Sequence, residues 1–94
     1  MEIVTEKDLK NIEEQLKSVI RDQDRFRLIK ANSSSFIFSS EQVKRLVKVQ
    51  HYGDSKIKTA IILYAHCPDK QNYQIVIDEF YDDEKKQIKK ELGI

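Results

Sequence analysis

An all-α domain is what this sequence of 94 residues predicts, and three observations carry the expectation. Two stretches have the form of a capping box flanked by an apolar staple. The apolar residues that follow each helix start fall on one stripe at helical spacing. Segments opened by an acid recur about 30 residues apart, the kind of period that marks repeated helix pairs. The architecture expected is about six short helices, in three helix-turn-helix units. They would form a compact bundle or a short right-handed superhelical array. One domain spans 1–94, because a chain of this length cannot bury two self-sufficient cores.

The first start is Val4-Thr5-Glu6-Lys7-Asp8-Leu9. Thr5 is placed to accept the orphan amides, with an acid at N3 and apolar residues at N′ and N4. Leu9, Ile12, Leu16, Val19 and Ile20 then form one helical face, so the helix is expected over Thr5 to Ile20. The second start is Phe38-Ser39-Ser40-Glu41-Gln42-Val43, with Gln at N3, followed by Val43, Leu46, Val47 and Gln50. A third, weaker start is Pro68-Asp69-Lys70-Gln71-Asn72-Tyr73, with Asp69 as cap and Tyr73, Val76, Ile77 and Phe80 on its stripe. Between these lie helices opened by Asp24, Asp54 and Asp83, and the last two are introduced alike by Tyr52-Gly53 and Tyr81-Asp82.

An α+β alternative competes at about 59–81. Thr59 to His66 and Tyr73 to Tyr81 are rich in β-branched and aromatic residues, and Pro68 to Asn72 would serve as a hairpin loop. The clean 3.6-residue spacing of Ile57, Ala60, Ile61 and Tyr64 favours the helix.

These residues carry a resemblance. Ser39-x-x-Gln42-Val43-x-x-Leu46, then Asp54-Ser55-Lys56-Ile57-Lys58-Thr59-Ala60 with Tyr64, Asp69 to Tyr73, Phe80, Lys86, Ile88 and Leu92 resemble domain-of-unknown-function family 4476. The likeness spans about Phe26 to Leu92, a family-like region of 26–92, with the first helix as a divergent unit of the same kind. It implies an all-helical module of cap and core residues and brings no activity with it.

Composition narrows the function. Seventeen Lys and Arg against 16 Asp and Glu leave a formal charge of +1 in a chain that is 35% charged, which argues against a general polyanion binder or a polybasic membrane anchor. No segment reaches the ~18 apolar residues of a membrane span. The N-terminus is acidic early and lacks a signal peptide's apolar core. With the lone Cys67, this makes an intracellular, cytoplasmic setting the expectation.

Candidate chemistry is sparse. Adjacent His66 and Cys67 cannot chelate one ion from a helical face, and His51 would reach them only by tertiary approach. Asp78, Glu79, Asp82, Asp83 and Glu84 lack the spacing of a calcium loop and read as helix-start acids followed by Lys85, Lys86, Lys89 and Lys90. Cys67 with His51 and Asp54 could be imagined as a nucleophilic set, yet nothing in the spacing requires it. Ser33 to Ser35 and Ser39-Ser40 bracket Phe36-Ile37-Phe38 as a loop whose aromatics enter the core. No cofactor and no metal are expected, and no catalysis.

The reading left standing is a monomeric, non-enzymatic protein-interaction or structural module with a protein partner. Its candidate contacts are the basic face of Lys44, Arg45 and Lys48, and Tyr52 and Tyr81 at turns between helices. Weak nucleic-acid binding through that same basic face is the alternative, set back by the near-neutral charge.

Overall fold

Two helix starts in the computed structural model, those after Thr5 and Ser39, follow the cap grammar of the sequence, and the helix expected to open at Asp24 begins at Asp22. The structure describes residues 2–94; Met1, the first residue of the expected domain, lies outside it. Among the described residues the chain runs β1 (Glu2–Ile3), α1 (Glu6–Lys17), α2 (Asp22–Ser33), β2 (Phe36–Ile37), α3 (Ser40–Val49) and α4 (Gly53–Tyr64). A 3-10 turn (Lys70–Asn72), α5 (Gln74–Ile77) and α6 (Asp82–Leu92) follow. The fold is all-α.

Thr5 Oγ1 accepts from the Asp8 amide at 3.1 Å, and Val4 and Leu9 on either side of this cap are buried. At Ser39 the capping box closes in both directions: its hydroxyl accepts from the Gln42 amide at 3.3 Å and Gln42 Oε1 accepts from the Ser39 amide at 2.8 Å. Such a cap stabilises a helix start by ~1 kcal/mol. Gln42 also donates from Nε2 to the Val4 carbonyl at 2.8 Å, tying the N-terminal strand to α3. The strands themselves are two residues each and parallel, with Glu2 opposite Phe36 and Ile3 opposite Ile37. Phe38, just beyond, is fully buried, as the serine-bracketed segment predicts.

The α+β alternative, a hairpin at 59–81, is not formed, and the helix favoured by the spacing is. Gly53–Tyr64 is helix, and Ile57, Ala60 and Leu63 are buried on its inner face. Tyr73, Val76, Ile77 and Phe80 are buried as their stripe predicts. Their helix, however, is four residues long, continued on both sides by i→i+3 turns. A β-branched run, Ile75-Val76-Ile77, weakens a helix interior there. The predicted cap, Asp69, is spent elsewhere. The first helix is also shorter than expected: it ends at Lys17, with Ser18 Oγ donating to the Gln15 carbonyl at 2.7 Å. Ile20 therefore leaves the core face and stands 91% exposed.

The packing alternates along the chain. α3 lies against α1, α4 and α5, while α4 lies against α2, α3 and α6. The radius of gyration is 12.3 Å, against about 12 Å for a compact chain of this length.

Candidate functional site

Two carboxylates show how α2, α4 and α6 are aligned. Asp22, the first residue of α2, accepts from the His51 amide at 3.0 Å and the Tyr52 amide at 2.7 Å, both at the start of α4. Glu84, in the first turn of α6, accepts from the Tyr81 amide at 3.0 Å. Its other oxygen lies so close to Gly53 that a Cβ there would meet it at 2.8 Å. The three helices therefore begin at one end of the molecule, in the order α2, α4, α6. The residues just ahead of their starts form a row.

Among the described residues five large apolar side chains stand exposed, and three of them lie on that row, Ile3 and Ile94 being the others. Ile20 precedes α2, Tyr52 stands 72% exposed ahead of α4, and Tyr81 stands 80% exposed ahead of α6. Both tyrosines singled out by the sequence thus share one edge. Ile20 joins them, missed because its helical spacing placed it in the core.

Beneath the row lies a buried ion pair that sequence reasoning also missed. Asp22 and Arg25 are 6% and 5% exposed, and Arg25 Nη1 donates to Asp22 at 2.7 Å while its Nε donates to the Leu16 carbonyl at 3.0 Å. The end of α1 and the starts of α2 and α4 meet on these two side chains. Burial opposes the charge on Asp22, but the Tyr52 and His51 amides and Arg25 outweigh it, so its pKa lies below the ordinary value. The available signal was the acid one residue after the exposed Arg21, two residues ahead of the expected start at Asp24.

The basic face resolves differently. Arg45 donates from Nη1 to both oxygens of Glu6, at 2.8 and 2.7 Å, and from Nη2 to Glu13, pinning α3 to α1. The hydrogen bond from Arg45 holds the Glu6 carboxyl below its ordinary pKa. Lys48 Nζ lies 3.2 Å from Glu79 Oε1, a contact of charges without hydrogen-bond alignment. Lys44 is half-buried and takes part in none of the ion pairs among the described residues.

At the opposite end Cys67, Ser40 and Asp69 form a second polar cluster. Asp69 Oδ1 accepts from the Ser40 amide at 2.8 Å and from the Cys67 thiol at 3.1 Å, so Asp69 serves the start of α3 and not its own helix. Burial pushes the thiol's pKa up, away from reactivity. His51 and Asp54 stand at the far end of α4, about 18 Å of helix away, so the imagined nucleophilic set is not assembled. Among the described residues no three His, Cys, Asp or Glu side chains gather as a metal site, and no pocket opens.

A helical domain with a polar-linked edge and no cavity is the class these features define. The chain belongs to the family described as Domain of unknown function (DUF4476), whose model matches residues 3–92 and so takes in the first helix as well. It is also similar to an uncharacterized protein of Dictyostelium discoideum, 92% identical over 37 residues, which is 39% of this chain and 88% of that protein. No solved structure matches. Among the described residues no helix is long and apolar enough to cross a membrane.

Proposed function

We propose that this domain is a non-enzymatic protein-interaction module whose contact surface is the edge where α2, α4 and α6 begin. The observation that supports it is the exposure of Ile20, Tyr52 and Tyr81 ahead of three helix starts that Asp22 and Glu84 bring together. Tyrosine supplies large contact area at low entropic cost and is enriched at interfaces. Apolar side chains gathered at one place on a surface otherwise rich in charge mark a contact region. The helix pairs, packed alternately, fit a short repeat that buries one face and presents another. The module acts as a monomer, without cofactor, in an intracellular setting that keeps the buried Cys67 reduced.

The basic face is the weaker candidate, because two of its three cations already hold carboxylates. Nucleic-acid binding through Lys44, Arg45 and Lys48 would first have to displace Glu6, Glu13 and Glu79. Affinity capture with three baits tests the reading: the natural chain, Tyr52→Asp/Tyr81→Asp and Lys44→Glu/Lys48→Glu. Specific protein partners should be lost from the tyrosine variant and kept by the lysine variant. Retention of every partner by the tyrosine variant overturns it, and recovery of nucleic acid lost only from the lysine variant moves the function to the basic face.

A further inference from the structure

We infer that the occupant of this edge is an extended, lysine- or arginine-bearing segment of a partner protein; the inference rests on the interaction reading above and names the chemistry of the partner. The backbone amides that could hold an anion there are already engaged. The His51 and Tyr52 amides at the start of α4 already donate to Asp22, and the Tyr81 amide donates to Glu84. What the edge offers outward is aromatic faces and the carboxylates of Asp54, Asp82 and Asp83, three acids against the exposed Arg21 beside Ile20. Asp54, Asp82 and Asp83 are exposed beside the two tyrosines, and Asp82 touches Lys85 only at 4.0 Å. A cation set over a tyrosine ring gains from the ring's negative face, and the carboxylates beside it add opposite charge. This fold already contains one such contact, Lys70 Nζ at 5.3 Å from the centre of the Tyr64 ring.

The spacing selects an extended ligand. Packed neighbouring helices lie about 8–10 Å apart, which is the step expected between the positions ahead of α2, α4 and α6. Three residues of polyproline II conformation advance about 9 Å. A segment crossing the three helix ends would set an apolar residue on Ile20 and a basic residue on each of Tyr52 and Tyr81, one anchor at every third position.

The test uses the whole chain and a fluorescent peptide with arginine at every third position and prolines between, beside a matched peptide with glutamate in place of arginine. Anisotropy should show saturable binding of the arginine peptide alone. Amide shifts in NMR should move at 20–23, 51–54 and 81–84. Tyr52→Ala, Tyr81→Ala and the Asp82→Lys/Asp83→Lys pair should each weaken binding about fivefold or more, with unchanged circular dichroism. The inference is overturned if the arginine peptide fails to bind, binds no better than the glutamate peptide, or binds the tyrosine variants equally well. If the peptide fails while the tyrosine bait still loses its partners, the interaction reading stands and the basic chemistry alone is discarded.

Discussion

Asp22 and Asp69 do the same job at opposite ends of this molecule, and their surroundings differ. Asp22 reaches 29 residues forward to the His51 amide, and Asp69 reaches 29 residues back to the Ser40 amide. Each closes the start of a helix it does not belong to. Asp22 is buried with Arg25 against it, so its charge is balanced by another buried charge. Asp69 is half-buried, with a hydroxyl, a thiol and the Asn72 amide group as partners. At the Asp22 end the polar atoms beneath are spoken for and apolar side chains stand outside them. At the Asp69 end Tyr73 and Phe38 are turned inward, and Tyr73 donates its hydroxyl to the Ala60 carbonyl. That end keeps its large aromatic side chains inside, although Ile3 of the adjoining strand is 55% exposed. The other is secured underneath and left open above.

The sharpest way to break this contrast is Asp22→Ala. It leaves Arg25 charged and buried without its partner and orphans two amides, which should cost about 3–5 kcal/mol, read as the shift in a urea unfolding midpoint. Asp69→Ala removes a cap in a partly solvated place and should cost about 1–2 kcal/mol by the same measurement. Equal losses would mean that the burial of the Asp22–Arg25 pair has no special weight.

Acid should act on both ends. Both carboxyls ionise more readily in the folded chain than at the ordinary aspartate value of 3.8, their hydrogen bonds outweighing burial. Their contribution is present above pH 3.8 and is lost as pH falls from there through the folded values. Cys67 has the opposite sign: its pKa is raised from 9.0 chiefly by burial. The stability it brings is present below pH 9 and is lost as pH rises through the folded value. Thermal melts from pH 2 to 10 should show a plateau with losses on both sides, and Asp22→Asn should flatten the acid limb. The smallest effect belongs to the open edge. Tyr52→Ala and Tyr81→Ala should change stability by less than about 0.5 kcal/mol, since both side chains stand in solvent; a larger shift in the melt would show that they pack.

Much of this was legible in residue order. Thr5 and Ser39 announced their helices because capping is local: hydroxyl, amide and staple lie within six residues. The stripe of Leu9, Ile12 and Leu16 was readable for the same reason. Ile20 misled because periodicity alone says nothing of where a helix stops, and Ser18 stops it. Asp69 misled because a carboxylate that caps the next residues looks the same in sequence as one that caps a helix folded beside it. Of the candidate residues, Tyr52 and Tyr81 stayed on the surface where the shared turn pattern placed them. Arg45 was drawn into pairing by Glu6 and Glu13, more than 30 residues away, a distance at which no spacing rule operates.

The alternate packing of the helices also bears on how the chain finds its fold. The links that tie one helix to another span modest stretches of chain: 29 or 30 residues for the Asp22 and Asp69 bonds and 39 for Arg45 to Glu6. Loop-closure entropy rises only with the logarithm of loop length. Each helix can dock on a neighbour made shortly before it. The open edge is complete only when α6 has settled on α4, since Glu84 against Gly53 brings Tyr81 to the end where Tyr52 stands.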